Sequence, residues 1–468
     1  MMVPQVGTAG SARAIKAGRP RLGDCDRARS QALLSRIAEV CQARTTPEDG
    51  LTKYLDADAE RAGLRGYDLN LTSFNEVMEV LRSAKFVTVM DDRSEPFRAG
   101  TMLRLEGPDH RRRRQAMGTL VRADGQQSFQ EKVVMPTIRD GFRQVYANAG
   151  SDGRARFDLV SFLGDIFFRN AAALIGLSGV DSPAAARQLR EFSVPMLTAT
   201  DFMELRDREA RMRRAVELKQ EFFEQYYCPA LRRHEEQARQ CEAGELAAEE
   251  MPRDLLTLIV GNRDPSWAAE PDVGMREAIV DLLGAGTSTS MMTGVWAVHD
   301  LLTWTDGDPG RTRLVFEDEF LAAAIHETLR LHTLVPYLWR RAEEDVALAS
   351  GVKIERGQCV LLEVDKANRD ESVFGAAADT YNPYRKVPPK TYPYGVAFGA
   401  GRHMCFGLPV VLGNDGVHGS HAALIKALFA ARVSGDPDDP PQKAADTLRD
   451  KWSRYPVVLQ PRGEGTTS

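Results

Sequence analysis

Phe398-Gly399-Ala400-Gly401-Arg402-His403-Met404-Cys405-Phe406-Gly407, close to the C-terminus, is the stretch whose reading decides the fold. Two of its glycines precede one cysteine and a third follows it, between apolar Gly395-Val396-Ala397 and a segment able to start a helix. Glycine lets a backbone approach a bulky neighbour closely, so the run is expected to lie against something broad and flat. A cysteine at the mouth of a helix meets amide N–H groups and the positive end of the helix dipole, which favours thiolate over thiol. Such a sulfur is a ready axial ligand for a metal.

The rest of the chain bounds what that ligand serves. At 468 residues it exceeds the usual size of one domain, so two domains or one large enzyme fold is expected, with room for a buried cofactor. Hydrophobic residues make up 43% and charged residues 27%, ordinary for a globular protein, and the net charge of -5 argues against general nucleic-acid binding. Cysteines at 25, 41, 228, 241, 359 and 405 lack the close spacing of a zinc site or a disulfide framework, which fits a reducing cytoplasm. No stretch approaches the roughly 20 apolar residues of a membrane span, so no membrane anchor is expected. Residues 1–30 mix Gly, Ala, Arg and Lys without an apolar face and read as a flexible tail, and residues 462–468 as a disordered one. A helical pattern begins at Gln31, with Leu33, Leu34, Ile37, Val40 and Cys41 on one side.

Three further stretches carry chemistry. In Ala278-Ile279-Val280-Asp281-Leu282-Leu283-Gly284-Ala285-Gly286-Thr287-Ser288-Thr289-Ser290, two interior glycines each cost about 1 kcal/mol relative to alanine in a helix. Packing alone does not explain so thin a helix, and hydroxyls bonding back to the previous turn can open it. In Glu106-Gly107-Pro108-Asp109-His110-Arg111-Arg112-Arg113-Arg114, proline at the helix start sets His110 and Arg114 one turn apart on one side. Arg112 and Arg113 read as a solvated face. Glu327-Thr328-Leu329-Arg330 places an acid and a base at i, i+3, a pairing common on exposed helices and weak by itself.

These features together resemble the cytochrome P-450 family, of the soluble bacterial type. Its haem loop, F-G-x-G-x-H-x-C-x-G, is met at every fixed position by Phe398, Gly399, Gly401, His403, Cys405 and Gly407. The resemblance runs by ordered motifs over residues 31–461 and implies one large haem domain, mainly α with small β-sheets. It implies haem b, with Cys405 as the ligand to iron and His110, Arg114, Arg340, His403, Phe398, Gly399 and Gly407 around it. Arg340 is placed by counting back from Asp345, with Arg341 the fallback. Tyr381-Asn382-Pro383-Tyr384-Arg385 is similar to the family's F-x-P-x-R, so Glu327, Arg330 and Arg385 are expected to brace the loop.

The family's [A/G]-G-x-[D/E]-T oxygen motif matches at Ala285, Gly286 and Thr289, but Ser288 stands where the acid belongs. A carboxylate relays protons better than a hydroxyl near neutral pH. Either ordered water and Ser288 replace the acid, or the substrate supplies a group, or the chemistry is non-standard, such as peroxide use, oxidative coupling, desaturation or reaction with a nitrogen oxide. Asp281 lies about two turns upstream and does not occupy the same place.

The resemblance further implies a monooxygenase taking O2 and a small organic substrate, a natural-product intermediate by analogy, with electrons from NAD(P)H through a ferredoxin and its reductase. A haem-binding sensor without turnover is the lesser alternative. Val87, Val89, Leu334, Val335 and Leu338 are expected along the substrate pocket, against an even expectation that they are strand core. Residues 261–274 read as a linker, and 351–354 with 358–362 as a short hairpin. Past the cysteine, Pro409 and Gly413-Asn414-Asp415-Gly416-Val417-His418-Gly419 interrupt the helix expected there, with His418 and His421 read as surface residues.

Overall fold

The computed structural model describes residues 67–89, 94–201, 203, 208–414, 417–445 and 447–461. The two terminal tails and the helix expected from Gln31 lie outside these residues. The described chain enters on β1 (Leu69–Leu71), forms α1 (Phe74–Arg82) and returns on β2 (Phe86–Thr88). Phe74, Val77, Met78 and Leu81 recur at helical spacing, and α1 buries all four.

Helix α2 (Gly107–Gly118) has Pro108 in its first turn. Strand β3 (Ala155–Asp158) leads into α3 (Leu159–Ile175), whose N-terminus Asp158 caps by accepting the Val160 and Ser161 N–H groups. A pair of long helices follows, α4 (Pro183–Ala199) and α5 (Arg208–Phe222), then a π turn at Phe223–Tyr227 and α6 (Cys228–Ala243). A π segment, Ala278–Ala285, runs into α7 (Gly286–Thr305), which packs on α3, on α8 (Asp318–Leu331) and on α10 (Ser420–Ala430). Between α8 and α10 the chain forms β4 (Tyr337–Ala342), β5 (Cys359–Glu363) and the short α9 (Leu408–Leu412). A two-stranded hairpin of β6 (Gly413–Asn414) and β7 (Val417–His418) joins α9 to α10, which is the interruption expected after the cysteine.

The main sheet has the order β1-β5-β4-β2, with β1 parallel to β5 and the other pairs antiparallel. A smaller sheet pairs β3 with β9 (Pro456–Leu459), and β9 with β8 (Ser434–Gly435). The expected 351–362 hairpin does not form. Lys353–Ile354 pairs with Val346–Ala347, whereas β5 joins the main sheet between β1 and β4. Local turn signals do not decide strand partners when a fully buried strand such as β5 finds a larger sheet.

The result is a mainly helical single domain with small sheets, as the resemblance implies. Its apolar core surrounds α3 and α7 on two sides and continues beneath α1 and the main sheet. A Cβ at Gly294 would lie 2.8 Å from Leu163, so a glycine lets α7 close on α3. Residues 261–274 are no loose linker: Trp267 and Asp264 are buried in the core. Among the described residues no helix is long and apolar enough to cross a membrane.

Candidate cofactor site

The loop ahead of Cys405 is held by backbone geometry. The Cys405 N–H donates to Phe398 O at 2.8 Å, and Gly395, Gly399 and Gly401 all have positive φ. A Cβ at Gly401 would come within 2.5 Å of Leu81 O and 3.0 Å of Arg82 Cα; one at Gly395 would meet Asn368 Oδ1 at 2.1 Å. What these two glycines approach is therefore the protein's own α1 and Asn368. Gly407 differs, because a Cβ there would meet only Cys405 Sγ, at 3.8 Å.

Behind the loop lies a buried polar brace. Arg330 donates twice to Glu327, from Nε and Nη2, both at 2.8 Å, and Arg385 Nε donates to Glu327 Oε1 at 2.8 Å. Arg330 also donates to Asn368 O at 2.6 Å, and the Asn368 side chain accepts the Val396 N–H at 2.7 Å. Asn368 thus carries the brace into the cysteine loop. Sequence reading assigned it no role, since nothing near it in the chain reveals partners 28 and 38 residues away. In place of the family's phenylalanine, Tyr381 donates its hydroxyl to Ala324 O at 3.3 Å.

A cluster of cations gathers beside the loop. His110 is buried and lies over His403 with ring centroids 4.2 Å apart. Burial, then the charges of His403 and Arg114, bring His110 down to about 4. Arg340 is only 7% exposed and makes no carboxylate ion pair among the described residues; its guanidinium donates to Trp339 O. Burial lowers it to about 10. Arg341, the fallback, points outward to Glu343. Arg114 is half-buried, also without a described carboxylate, and burial lowers it as well. The acid here is Glu106, which sequence reading passed over: it accepts from Thr88 N–H and His403 Nε2 and pairs with Arg402. Burial opposes its charge, yet these partners hold its carboxyl at about 2.

Two expectations on charged residues are overturned. Arg113 is fully buried, paired with Asp264 and Glu277 and lying over Trp267, because it stands three residues from His110 and shares its inward side. Arg112 does face solvent. His421 is not a surface residue. It is fully buried, donates from Nε2 to Ser290 O at 2.9 Å and so ties α10 to α7, while His418 is exposed beside Asp318.

The π segment supplies the widening expected of the thin helix, one turn earlier than the hydroxyls. Thr287, Ser288 and Thr289 each donate back four residues, to Leu283, Gly284 and Ala285 O. Ala285, Gly286 and Ser288 are exposed and Thr289 half-buried, although α7 from Met292 to Leu301 is almost entirely buried. Exposure in the middle of a core helix marks a groove. Of the expected pocket residues, Leu334 is buried, Val87 and Val335 half-buried, Leu338 packs toward the core beneath the main sheet, and Val89 packs with Trp339, Cys359 and Leu361.

The cysteine itself corrects one expectation. Cys405 is exposed on its open side, but desolvation by the protein atoms packed around the sulfur raises its thiol above the ordinary value, against the pull of the Gly407 and Leu408 N–H groups and of Arg114. Helix α9 has only five residues, too short for its dipole to outweigh desolvation. A metal bound by the Cys405 sulfur would deprotonate it outright, so haem iron would supply what the fold does not.

These residues fit a haem. The sulfur is solvent-accessible and backed by N–H donors, an exposed groove crosses a buried helix, and two partly or fully buried guanidiniums await anionic partners. A buried charge without a partner is costly, and haem carboxylates are partners of the required sign.

The fold and the residues around Cys405 suit a haem-thiolate site, and comparison with known proteins points the same way. The Cytochrome P450 family model matches residues 318–410. Bifunctional cytochrome P450/NADPH–P450 reductase 2 of Bacillus subtilis is 28% identical over 178 residues, 34% of this chain and 17% of that protein. Geraniol 8-hydroxylase of Catharanthus roseus is 31% identical over 179 residues, 34% of this chain and 36% of that protein. The crystal structure of HmtT, involved in himastatin biosynthesis, superposes with a TM-score of 0.63 at 19% identity, covering 83% of this chain and 91% of that one. The chain is similar to the cytochrome P450 family over residues 318–410 and shares the fold of solved P450 structures, and the cofactor that this likeness carries is haem, iron protoporphyrin IX. It spans well under half the length of either curated relative named here.

Proposed function

We propose that the protein is a monooxygenase: one atom of O2 enters a small organic substrate, the other leaves as water, and NAD(P)H supplies two electrons. The observation that carries this reading is Cys405, accessible and N–H-bonded at the end of a braced loop, in a chain whose α7 opens a groove at Ala285, Gly286 and Thr289. Thiolate-ligated haem supplies the oxygen chemistry, since the sulfur's electron density favours O–O cleavage.

The chain's own residues do the rest. The Glu327–Arg330–Arg385 brace and Asn368 fix the sulfur's position; His110, Arg114 and Arg340 are proposed to hold the cofactor's carboxylates. Thr289 and Ser288, their hydroxyl protons engaged by carbonyls, present lone pairs to the groove and accept hydrogen bonds there. Electrons are proposed to arrive from a ferredoxin and its reductase, for which exposed Arg111 and Arg112 offer a docking surface to an acidic partner. A natural-product intermediate as substrate is supported by the likeness to HmtT.

Ser288 favours a second reading, turnover with peroxide. Substrates picked by their perturbation of the haem spectrum are incubated with ferredoxin, reductase and NADPH under labelled dioxygen. One labelled oxygen in the product supports the monooxygenase; product formed from hydrogen peroxide alone, and not from NADPH, supports the second reading.

A further inference from the structure

Glu277 and Asp281 stand about one turn apart where the π segment begins, ahead of Ala285 and Ser288 on the same continuous helix. Glu277 is fully buried. Its Oε1 accepts the Met102 N–H at 2.7 Å and pairs with Arg113, while Oε2 has no hydrogen-bond partner among the described residues. Both carboxyl oxygens of Asp281 are buried and have none either. The charged groups around the pair are Arg113 and Arg98 on one hand and Asp264 on the other, with the buried phenol of Tyr227 nearby. Arg112 also pairs with Asp264, and Arg113 is shared between Asp264 and Glu277, so Asp281 is the carboxyl whose buried oxygens have no hydrogen-bond partner among the described residues, and a buried unpaired charge takes up a proton instead. Burial and then the charge of Glu277 push Asp281 well above the usual carboxylate range; burial, with repulsion from Asp264, lifts Glu277 to about 7 against the pull of Arg113.

The groove lacks such a group of its own. Ser288 and Thr289 donate their protons to carbonyls of their own helix and do not originate a transferable one.

We propose that Asp281, protonated and positioned by Glu277, is the store from which a proton reaches the Ala285–Thr289 groove through water, in the role Ser288 leaves open. The proposal rests on the monooxygenase reading. Each turnover takes two protons with the two electrons from NAD(P)H. The Asp281 O–H bond breaks, a water in the groove gains the proton, and the carboxylate left behind regains a proton from solvent through the same groove, the neighbouring Glu277 charge favouring its return.

The test uses the full chain loaded with haem. In infrared difference spectra at neutral pH, the wild type shows the carbonyl stretch of a protonated carboxylic acid, which Asp281→Asn removes. NADPH-driven O2 uptake through a plant-type ferredoxin and its reductase falls on the order of 100-fold in Asp281→Asn, the lower edge of what a positioned acid contributes. Asp281→Glu restores most of it, and Glu277→Gln displaces the alkaline limb of the pH profile. A structural role would not give rescue together with a moved pH limb. Absence of the carboxyl band, or uptake unchanged in Asp281→Asn, overturns the proposal. A wild type whose carbon monoxide spectrum lacks the thiolate signature overturns the monooxygenase reading instead, and the infrared band still reports separately whether Asp281 holds a proton.

Discussion

Arg113 and Arg340 are both buried guanidiniums, and they resolve that burial in opposite ways. Arg113 has Asp264 and Glu277 within the fold, whereas Arg340 has a carbonyl and no described carboxylate. Removing one partner of a buried ion pair costs about 3–5 kcal/mol, so Arg113→Met should lower the unfolding free energy measured in urea by that much, strand Glu277, and leave little folded protein. Arg340→Leu should leave the apoprotein at least as stable and instead speed haem transfer to an acceptor globin; unchanged transfer would remove Arg340 from the cofactor's surroundings. His421 gives a pH prediction. Burial depresses it to about 4 from an ordinary 6.5, so the unfolded chain binds the extra proton, stability is full above pH 6.5, and it declines as pH falls toward 4. The decline should flatten in His421→Gln, measured by urea unfolding at several pH values. At this scale the sequence is half legible. Helical spacing puts His110 inward and, by the same spacing, Arg113, but the run of arginines masks that second reading. His421 sits in an apolar helix beside glycines, and nothing local tells that α7 lies opposite.

Among the elements, the cysteine loop was readable because its constraints are local. Each motif glycine sits at a fixed distance from Cys405, and Gly399 and Gly401 have the left-handed backbone that favours glycine. Gly401→Ala should cost about 1–2 kcal/mol for the backbone alone, with further loss from the collision with Leu81 O, seen as a lower thermal midpoint and a smaller haem content. The thin helix was readable too, through Gly284 and Gly286, although the widening lies at Ala278–Ala285 and not at the hydroxyls. Strand partners were not readable: β5 and Lys353–Ile354 read in sequence as the two arms of one hairpin, yet they join different sheets. The short α9 and the β6–β7 hairpin announced themselves in Pro409 and the glycines around it.

Over the whole molecule, the mainly helical fold follows from long apolar periodicities, and the site lies where α7, the cysteine loop and the cation cluster meet. The family match at residues 318–410 takes in the brace and Cys405, the parts whose geometry is fixed by chemistry. The pocket walls are set by packing that sequence periodicity does not orient, which is why Val89 and Leu338 turn into sheet core. A ligand that binds only the folded state stabilises it by about 4 kcal/mol at a thousandfold excess over its dissociation constant. Haem loading should therefore raise the unfolding midpoint clearly, and Cys405→Ala should reduce that gain. The central claim is that Cys405 sulfur binds the haem iron, and the direct measurement is the absorption spectrum of the reduced protein under carbon monoxide. A Soret band displaced far to the red, absent from Cys405→Ala, is the predicted result; a globin-like Soret band in the wild type contradicts the account.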